Sequence, residues 1–135
     1  MKNKEKDHQK AIKGHGNGEL ILVVDDEEAI RSVTTIMLRN NGYATLVASE
    51  GKEAVALYDA EKATIKLVIL DLMMPVMDGK ACINALRDIN PEVKIIGVSG
   101  FDKDAIHPEL LTELSYFLEK PFTSKSMLEA IRVII

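Results

Sequence analysis

The sequence contains a single cysteine, no tryptophan and few aromatic residues of any kind. A disulfide or a cysteine-based zinc site needs at least two thiols, so the chain on its own can form neither. We expect Cys82 to serve as a small apolar side chain on a helix. Long apolar runs are also absent, because the apolar segments are no longer than a strand, as in Leu20–Val24. This excludes a transmembrane helix and a signal-peptide core, and it indicates a cytoplasmic protein without direct membrane contact.

Positive charge is not in excess either. The formal net charge of the 135-residue chain is −4, whereas sequence-independent binding of DNA or RNA normally needs a basic face. Direct binding of nucleic acid is therefore not expected. With 47% hydrophobic residues, the chain can build one well-cored domain but is too short for two. Residues 1–18 are polar and end in glycines, so we predict a flexible lead-in or linker there and a folded domain over residues 19–135.

Short apolar runs alternate with helical patterns along residues 19–135. Strands are predicted at residues 20–24, 43–48, 67–70, 94–98 and 116–118, and helices at residues 50–62, 78–89, 103–113 and 124–134. A further helix precedes the second strand, because four apolar residues recur at helical spacing, namely Ile30, Val33, Met37 and Leu38. Ser49 is the expected N-cap of the helix at 50–62, and Pro108 argues against an unbroken helix at 103–113. Five strands that alternate with five helices indicate an α/β domain whose parallel sheet is covered on both faces.

Polar residues follow the carboxyl ends of four of these strands. They are Asp25 and Asp26, then Asp71, Ser99 and Lys120. Ligand sites of parallel sheets lie beyond this edge, so we expect these side chains to converge there. Neighbouring carboxylates raise one another's pKa, and a hard divalent cation such as Mg²⁺ relieves that conflict. Lys120 adds a movable positive charge and Ser99 a hydroxyl donor, which together predict a site for a phosphoryl group.

The position of Asp71 at the end of an apolar strand indicates a specific reaction at this site. Its carboxylate can act as a nucleophile and form an aspartyl phosphate. Lys120 would then neutralise the charge that develops in the transition state. A general base is not required, because a carboxylate is already ionised at neutral pH. The residues therefore predict phosphoryl transfer to Asp71.

Four short sequences carry a resemblance to a known family. They are ILVVDDE at residues 21–27, LDLMMPVMDG at 70–79, GVSG at 97–100 and FLEKPF at 117–122. In this order and at these spacings, the region from Glu19 to Ile135 resembles the receiver (response-regulator) domain family. The resemblance implies a flavodoxin-like, CheY-like fold, which is a doubly wound five-stranded parallel sheet with strand order 2-1-3-4-5. It also implies a two-component phosphorelay domain that accepts a phosphoryl group from a phosphohistidine and changes conformation.

The same resemblance implies a metal site, with Mg²⁺ or Mn²⁺ as the cofactor. Asp26 and Asp71 match the positions of direct metal ligands, and Asp25 matches the position of an acid that acts through water. The backbone carbonyl of Met73 matches the remaining protein ligand.

The resemblance further implies a switch that responds to the phosphoryl group. Asp71 matches the phosphoacceptor and Lys120 the lysine of the family. Ser99 matches the switch hydroxyl, which would turn toward the added phosphate and its charge. Phe117, three residues before Lys120, matches the aromatic switch position and would move into the space that Ser99 leaves.

The implied partners are a histidine kinase or a histidine phosphotransfer protein. The segment GNGELILVVDDE resembles the junction at which hybrid sensor histidine kinases carry a C-terminal receiver. A stand-alone receiver and a piece of a hybrid kinase both remain open, as does a homodimer that depends on phosphorylation. The expected protein is a phosphoacceptor switch with self-catalysed phosphorylation and dephosphorylation rather than a turnover enzyme.

Several alternatives are weighed against this interpretation. Glu27 and Glu28 are interpreted as acids at a helix N-terminus, where the helix dipole favours them. A phosphatase with an aspartyl nucleophile usually has a second Asp two residues later, where this chain has Met73. An interaction module that signals without phosphorylation is the other alternative, although every expected site residue is present. A stable acyl phosphate formed from a small phosphodonor would separate both from the phosphoacceptor switch.

Overall fold

The computed structural model describes residues 16–74, 77–101 and 103–135, and within them five parallel strands form one sheet. The strands are β1 (Leu20–Val24), β2 (Ala44–Ala48), β3 (Ile65–Asp71), β4 (Ile95–Ser99) and β5 (Tyr116–Glu119). Their order in the sheet is β2-β1-β3-β4-β5, which confirms the predicted doubly wound topology. Residues 1–15 of the predicted lead-in lie outside the described residues, so the boundary between lead-in and domain stays a prediction.

Helices cover both faces of the sheet. In the described ranges they are α1 (Glu28–Asn40), α2 (Gly51–Glu61), α3 (Gly79–Ile89), α4 (Pro108–Thr112) and α5 (Ser124–Ile134), with a 3₁₀ turn at Lys103–Ala105. One apolar cluster joins the sheet to α2 and α3, and a second joins its other face to α1 and α5. None of the described helices combines the length and apolar character that crossing a membrane requires.

The central strands β1, β3 and β4 consist mostly of apolar residues because both of their faces are covered. In β1, Leu22 and Val24 pack in the cluster beneath α2 and α3, whereas Ile21 and Val23 pack in the cluster beneath α1 and α5. Side chains alternate between the two faces of a strand, so only a continuous apolar run can satisfy both clusters. This explains why the apolar runs predicted β1, β3 and β4 so directly.

Helix α3 follows the sequence prediction closely. Asp78, predicted as its first residue, is the N-cap, and its carboxylate accepts a hydrogen bond from the backbone N–H of Ala81 (2.9 Å). Cys82 is fully buried on the inner face of this helix, which confirms its predicted role as a small apolar side chain. Burial raises the pKa of the Cys82 thiol to about 11.

The N-cap predicted for α2 is wrong. The N-cap is Glu50, and its side chain makes no capping hydrogen bond. Ser49 instead donates from both its backbone N–H (2.8 Å) and its hydroxyl (3.1 Å) to the carboxylate of Glu53. Since Glu53 reaches back to Ser49, the serine serves as a donor to the helix rather than as an acceptor at its end, and α2 begins at Gly51.

Helix α1 has two exposed apolar residues. Of the residues whose spacing predicted it, Val33 is 66% exposed, and Ile36 in the next turn is 60% exposed. Thr34 and Leu38 are the buried residues of this helix. The apolar pattern therefore includes a stripe that the fold leaves uncovered.

The helix predicted over residues 103–113 is interrupted before Pro108, as that proline indicated, and covers fewer residues than predicted. It divides into the 3₁₀ turn and the short helix α4, which begins at Pro108. Proline restricts the preceding residue away from helical backbone angles, and His107 is indeed non-helical and caps α4. Arg87 of α3 pairs with Glu113, directly after α4 (2.9 Å), so the short helix is tied to its neighbour.

Candidate functional site at the carboxyl edge of the sheet

The last residues of the central strands bring the predicted site residues to one edge. Asp71 is the final residue of β3, and Ser99 is the final residue of β4. Asp25 follows β1 directly, and its backbone N–H donates to Ala48 at the end of β2 (3.2 Å). Lys120 follows β5, and its backbone N–H donates to the carbonyl of Ser99 (2.8 Å). The backbone hydrogen bonds of the sheet thus hold these four residues at the same edge, as the topology predicted.

Three carboxylates meet at this edge. Oxygens of Asp25, Asp26 and Asp71 all lie within 4.8 Å of one another. Asp25 and Asp71 are only 2% and 3% exposed, whereas Asp26 faces solvent. Two buried acids and one exposed acid at this separation repel one another unless a cation lies among them.

Lys120 supplies the positive charge of the cluster. Its Nζ lies 3.0 Å from Asp25 Oδ2, 3.5 Å from Asp71 Oδ2 and 3.9 Å from a carboxylate oxygen of Glu27. The lysine side chain is only 17% exposed, so its ammonium group is turned inward toward the acids. The peptide bond between Lys120 and Pro121 is cis.

The electrostatics of the site follow from burial and these neighbours. Burial raises the pKa of Asp71, and the charge of Asp25 and a side-chain hydrogen bond with Asp26 add to the rise, whereas the Met73 N–H and Lys120 oppose it. For Lys120, burial alone would lower the pKa. The hydrogen bond with Asp25 and the negative charges around the ammonium outweigh that effect and leave the pKa raised. The lysine is therefore held in its charged form.

A cavity of about 270 Å³ opens over the acids. Its lining residues are Asp26, Glu27, Asp71, Met73, Gly100, Phe101 and Lys120. Met73 and Phe101 stand at its rim, and their side chains are 50% and 52% exposed. The backbone N–H of Met73 donates to Asp71 Oδ1 (3.0 Å), which orients the carboxylate. The cavity has room for a small anionic group directly against Asp71.

The two predicted switch residues lie beside this cavity. Ser99 is fully buried, and its hydroxyl oxygen accepts a hydrogen bond from the N–H of Phe101 (3.1 Å), one of the rim residues. Phe117, on β5, is partly buried and packs against the apolar cluster beneath α2 and α3. Strand pairing sets Phe117 opposite Gly97 on β4, two residues before Ser99.

Comparison with known proteins decides the family. Residues 21–132 match the sequence profile of the response regulator receiver domain. The chain belongs to this family. A sensor kinase CckA from Brucella abortus is 33% identical over 130 residues, which are 96% of this chain and 14% of that kinase. This receiver domain therefore spans only a small part of the length of that relative.

Two solved structures show the same fold. A CheX–CheY–BeF₃–Mg complex from Borrelia burgdorferi has a TM-score of 0.80 and 26% identity, and the match covers 85% of this chain and 87% of that one. A response regulator from Burkholderia pseudomallei, solved with a phosphorylated aspartic acid, calcium and citrate, has a TM-score of 0.74 and 28% identity. That match covers 83% of this chain and 65% of the other. This chain is a receiver domain of two-component signalling systems.

The acid cluster of this receiver domain fits a hard divalent cation. Carboxylate oxygens are the ligands that Mg²⁺ and Mn²⁺ prefer, and three of them lie close enough to share one ion. Asp26 is exposed and lines the cavity, so its carboxylate is accessible to an ion that enters there. Asp25 is buried and pairs with Lys120, which is in keeping with an indirect contact with the ion through a water molecule.

One residue of the site, Glu27, was not predicted from the sequence. Glu27 was interpreted as an acid favoured by the dipole of α1, and it is the N-cap of that helix. Its carboxylate also lines the cavity and lies within ion-pair range of Lys120. The available signal was its place in the acidic run that directly follows β1, because the first residues after a strand share the edge at which the site lies.

Proposed function

We propose that this receiver domain accepts a phosphoryl group on Asp71 in a reaction that needs Mg²⁺ or Mn²⁺. The observation that carries the proposal is the buried Asp71 carboxylate, 3.5 Å from the Lys120 ammonium and grouped with two further acids under an open cavity. A lone buried carboxylate would lack such an arrangement. A phosphoacceptor needs it, because the product carries about two negative charges in place of one.

The transfer uses this chain's own groups in defined roles. An oxygen of Asp71 attacks the phosphorus of a phosphohistidine, the P–N bond breaks, and its electron pair stays on the leaving imidazole. The Met73 N–H keeps the Asp71 carboxylate oriented during the attack. Lys120 neutralises the charge that develops on the phosphoryl oxygens. Attack of water on the acyl phosphate later restores Asp71, so the domain is a switch with self-catalysed phosphorylation and dephosphorylation rather than a turnover enzyme.

The proposed metal ligands are Asp26, Asp71 and the backbone carbonyl of Met73, with Asp25 acting through a water molecule. A bound Mg²⁺ would neutralise the acids and the incoming phosphoryl oxygens. The solved relatives that carry magnesium with a beryllium fluoride, or calcium with a phosphorylated aspartate, support this assignment.

Ser99 and Phe117 are the proposed switch. The hydroxyl of Ser99 turns toward the phosphoryl group and gives up its present bond from Phe101. Phe117 is partly buried and moves into the space that Ser99 leaves, which changes the surface around β5. A charge added at Asp71 is thereby converted into a change of packing.

A histidine kinase or a histidine phosphotransfer protein is the proposed donor. A cavity of about 330 Å³ beside the acidic one is lined by Ile30, Val33, Thr34, Lys120, Pro121 and Phe122. Lys120 lines both cavities, so a protein seated on this apolar surface would have its phosphohistidine next to Asp71. The similarity to the kinase CckA supports an origin in a hybrid kinase. A cytoplasmic setting and signalling without direct contact with nucleic acid or membrane are part of the same proposal, in keeping with the net charge of −4.

Intact-mass measurement after incubation with acetyl phosphate and Mg²⁺ tests the proposal. We expect one added phosphoryl group on the wild type and none on Asp71→Asn. Asp78→Asn is the matched control, because Asp78 lies in the same segment and asparagine also serves as an N-cap. If the wild type binds Mg²⁺ but gains no phosphoryl group, the proposal is wrong and the alternative is an interaction module that signals unphosphorylated.

A further inference from the structure

Glu27 occupies an unusual position at the mouth of the acidic cavity. It is an acid of the site, yet it is not part of the carboxylate cluster formed by Asp25, Asp26 and Asp71. Its carboxylate lies 3.9 Å from Lys120 Nζ on the solvent side, and its side chain is 62% exposed. Glu27 is therefore a partner of Lys120 that lies outside the carboxylate cluster able to share a cation.

The backbone of Glu27 is fixed while its side chain is free to follow the lysine. Its N–H donates to Asp25 Oδ1 (2.9 Å), and its carbonyl accepts from the N–H groups of Ile30 (3.1 Å) and Arg31 (3.0 Å). These bonds hold the N-cap of α1 against the cluster. The carboxylate makes no other ion pair within the part of the chain that the structure describes.

We propose that Glu27 is a positioning residue that holds the Lys120 ammonium when a divalent cation occupies the acid cluster. The inference rests on the proposed function, since it assumes that the cluster binds Mg²⁺.

Lys120 and a bound cation would compete for the carboxylate of Asp71. In the structure, Lys120 pairs with Asp25 at 3.0 Å and Asp71 at 3.5 Å. A divalent cation bound by Asp71 and linked to Asp25 through water would repel the ammonium and compete with it for Asp71. The lysine must then move or weaken metal binding. Glu27 gives it a negatively charged position at the cavity, from which it can still reach a phosphoryl group on Asp71.

A double-mutant cycle on Mg²⁺ affinity measures this role. Mg²⁺ binding is followed by amide chemical shifts for the wild type, Glu27→Gln, Lys120→Met and the double variant. We expect Glu27→Gln to weaken Mg²⁺ binding about two- to fivefold, the range for a partly exposed ion pair. In the Lys120→Met background the same substitution should change the affinity less than twofold, because no ammonium remains to be displaced.

Glu28→Gln is the matched control, since Glu28 is the next acid of the same run, is exposed, and does not line the cavity. It should leave the affinity within twofold of the wild type. An equal loss from Glu27→Gln in both lysine backgrounds would mean that Glu27 acts only through its charge, and the proposal would fall. An unchanged affinity in Glu27→Gln would overturn it as well.

The same measurements separate this inference from the proposed function. If the wild type shows no Mg²⁺-dependent shifts at millimolar concentration, the metal site itself is wrong, and the role of Glu27 falls with it. If the wild type binds Mg²⁺ and accepts a phosphoryl group from acetyl phosphate while the cycle shows no coupling, only the role of Glu27 is refuted.

Discussion

Replacement of Asp71 by asparagine should make the metal-free protein more stable while removing its phosphoacceptor. Asparagine has nearly the same shape, and its carbonyl oxygen can still accept the hydrogen bond from the Met73 N–H (3.0 Å). What the substitution removes is a negative charge that is only 3% exposed and lies beside Asp25 and Asp26. The lysine keeps its shorter ion pair with Asp25.

The magnitude follows from the distances. At an effective dielectric constant of about 20, like charges at the 4.8 Å limit of the cluster repel by about 3.5 kcal/mol. Lys120, at 3.5 Å, attracts Asp71 by about 4.7 kcal/mol on the same scale. The repulsion by Asp26 is weakened by solvent, since that residue is exposed. The two acids still outweigh the lysine slightly and desolvation adds to the cost, so we expect the free energy of unfolding to rise by about 1–2 kcal/mol.

Urea unfolding followed by circular dichroism in EDTA measures this change. Asp59→Asn is the control, because Asp59 is an exposed acid that pairs with Lys62 at 3.7 Å, and its replacement should shift stability by less than about 0.5 kcal/mol. A metal-free Asp71→Asn variant no more stable than the wild type would refute the electrostatic reasoning.

The pH dependence gives the prediction a second test. The pKa of Asp71 is raised above its ordinary value of 3.8, so the folded protein binds a proton there more tightly than the unfolded chain does. The wild type therefore gains stability from this group as the pH falls through the raised pKa, and loses it as the pH rises. The advantage of Asp71→Asn should be full at pH values above the raised pKa of Asp71 and should shrink as the pH falls through it.

Three further predictions concern packing, capping and reactivity. Gly97→Ala should lower the free energy of unfolding by about 1 kcal/mol in urea unfolding, because its Cβ would lie 2.7 Å from Leu114, and the same substitution should cost less in a Leu114→Ala background, where the clashing methyl group is absent. Thr123→Ala should cost about 1 kcal/mol in the same assay, because it removes the capping box with Ser126, whereas Thr123→Ser should not. Cys82, with a pKa of about 11, should resist iodoacetamide in the native protein and react in urea, and equal rates in both would contradict its burial.

The sequence predicted the sheet well because burial on two faces leaves a strong local pattern. Strand β1 was predicted with the bounds that the structure gives it. Strand β3 begins earlier than predicted, at Ile65, because Lys66 is exposed and interrupts the apolar run although the strand continues through it. Pairing with a neighbouring strand extends a strand past the limit that its own side chains indicate.

The helix ends and the role of Glu27 were harder to predict from the sequence. They depend on contacts with residues that are distant in sequence, or on nearby residues that compete for the same hydrogen bond. Ser49 looked like an N-cap, but Glu53 takes up its hydroxyl. Pro108 predicted the break before α4, but the sequence did not reveal the ion pair between Arg87 and Glu113 that ties the end of α4 to α3. Glu27 looked like an ordinary helix-end acid because nothing near it in sequence reveals Lys120, which is brought close by the parallel sheet. Local patterns carry no information about such contacts.

The strand that carries Asp71 explains why an unfavourable charge can remain at this position. Residues 67–70 of β3 are all buried apolar side chains, and each stabilises the fold by roughly 1.5–3 kcal/mol relative to exposure. The free energy gained by burying these four side chains is several times the cost of one desolvated carboxylate. The fold therefore tolerates the repulsion among Asp71, Asp25 and Asp26. On a surface loop the same carboxylate would be relieved by water and would be free to move. At the end of a buried strand it stays fixed, partly dehydrated and close to Lys120, and the energy that it costs the fold is available to favour binding of a cation and a phosphoryl group.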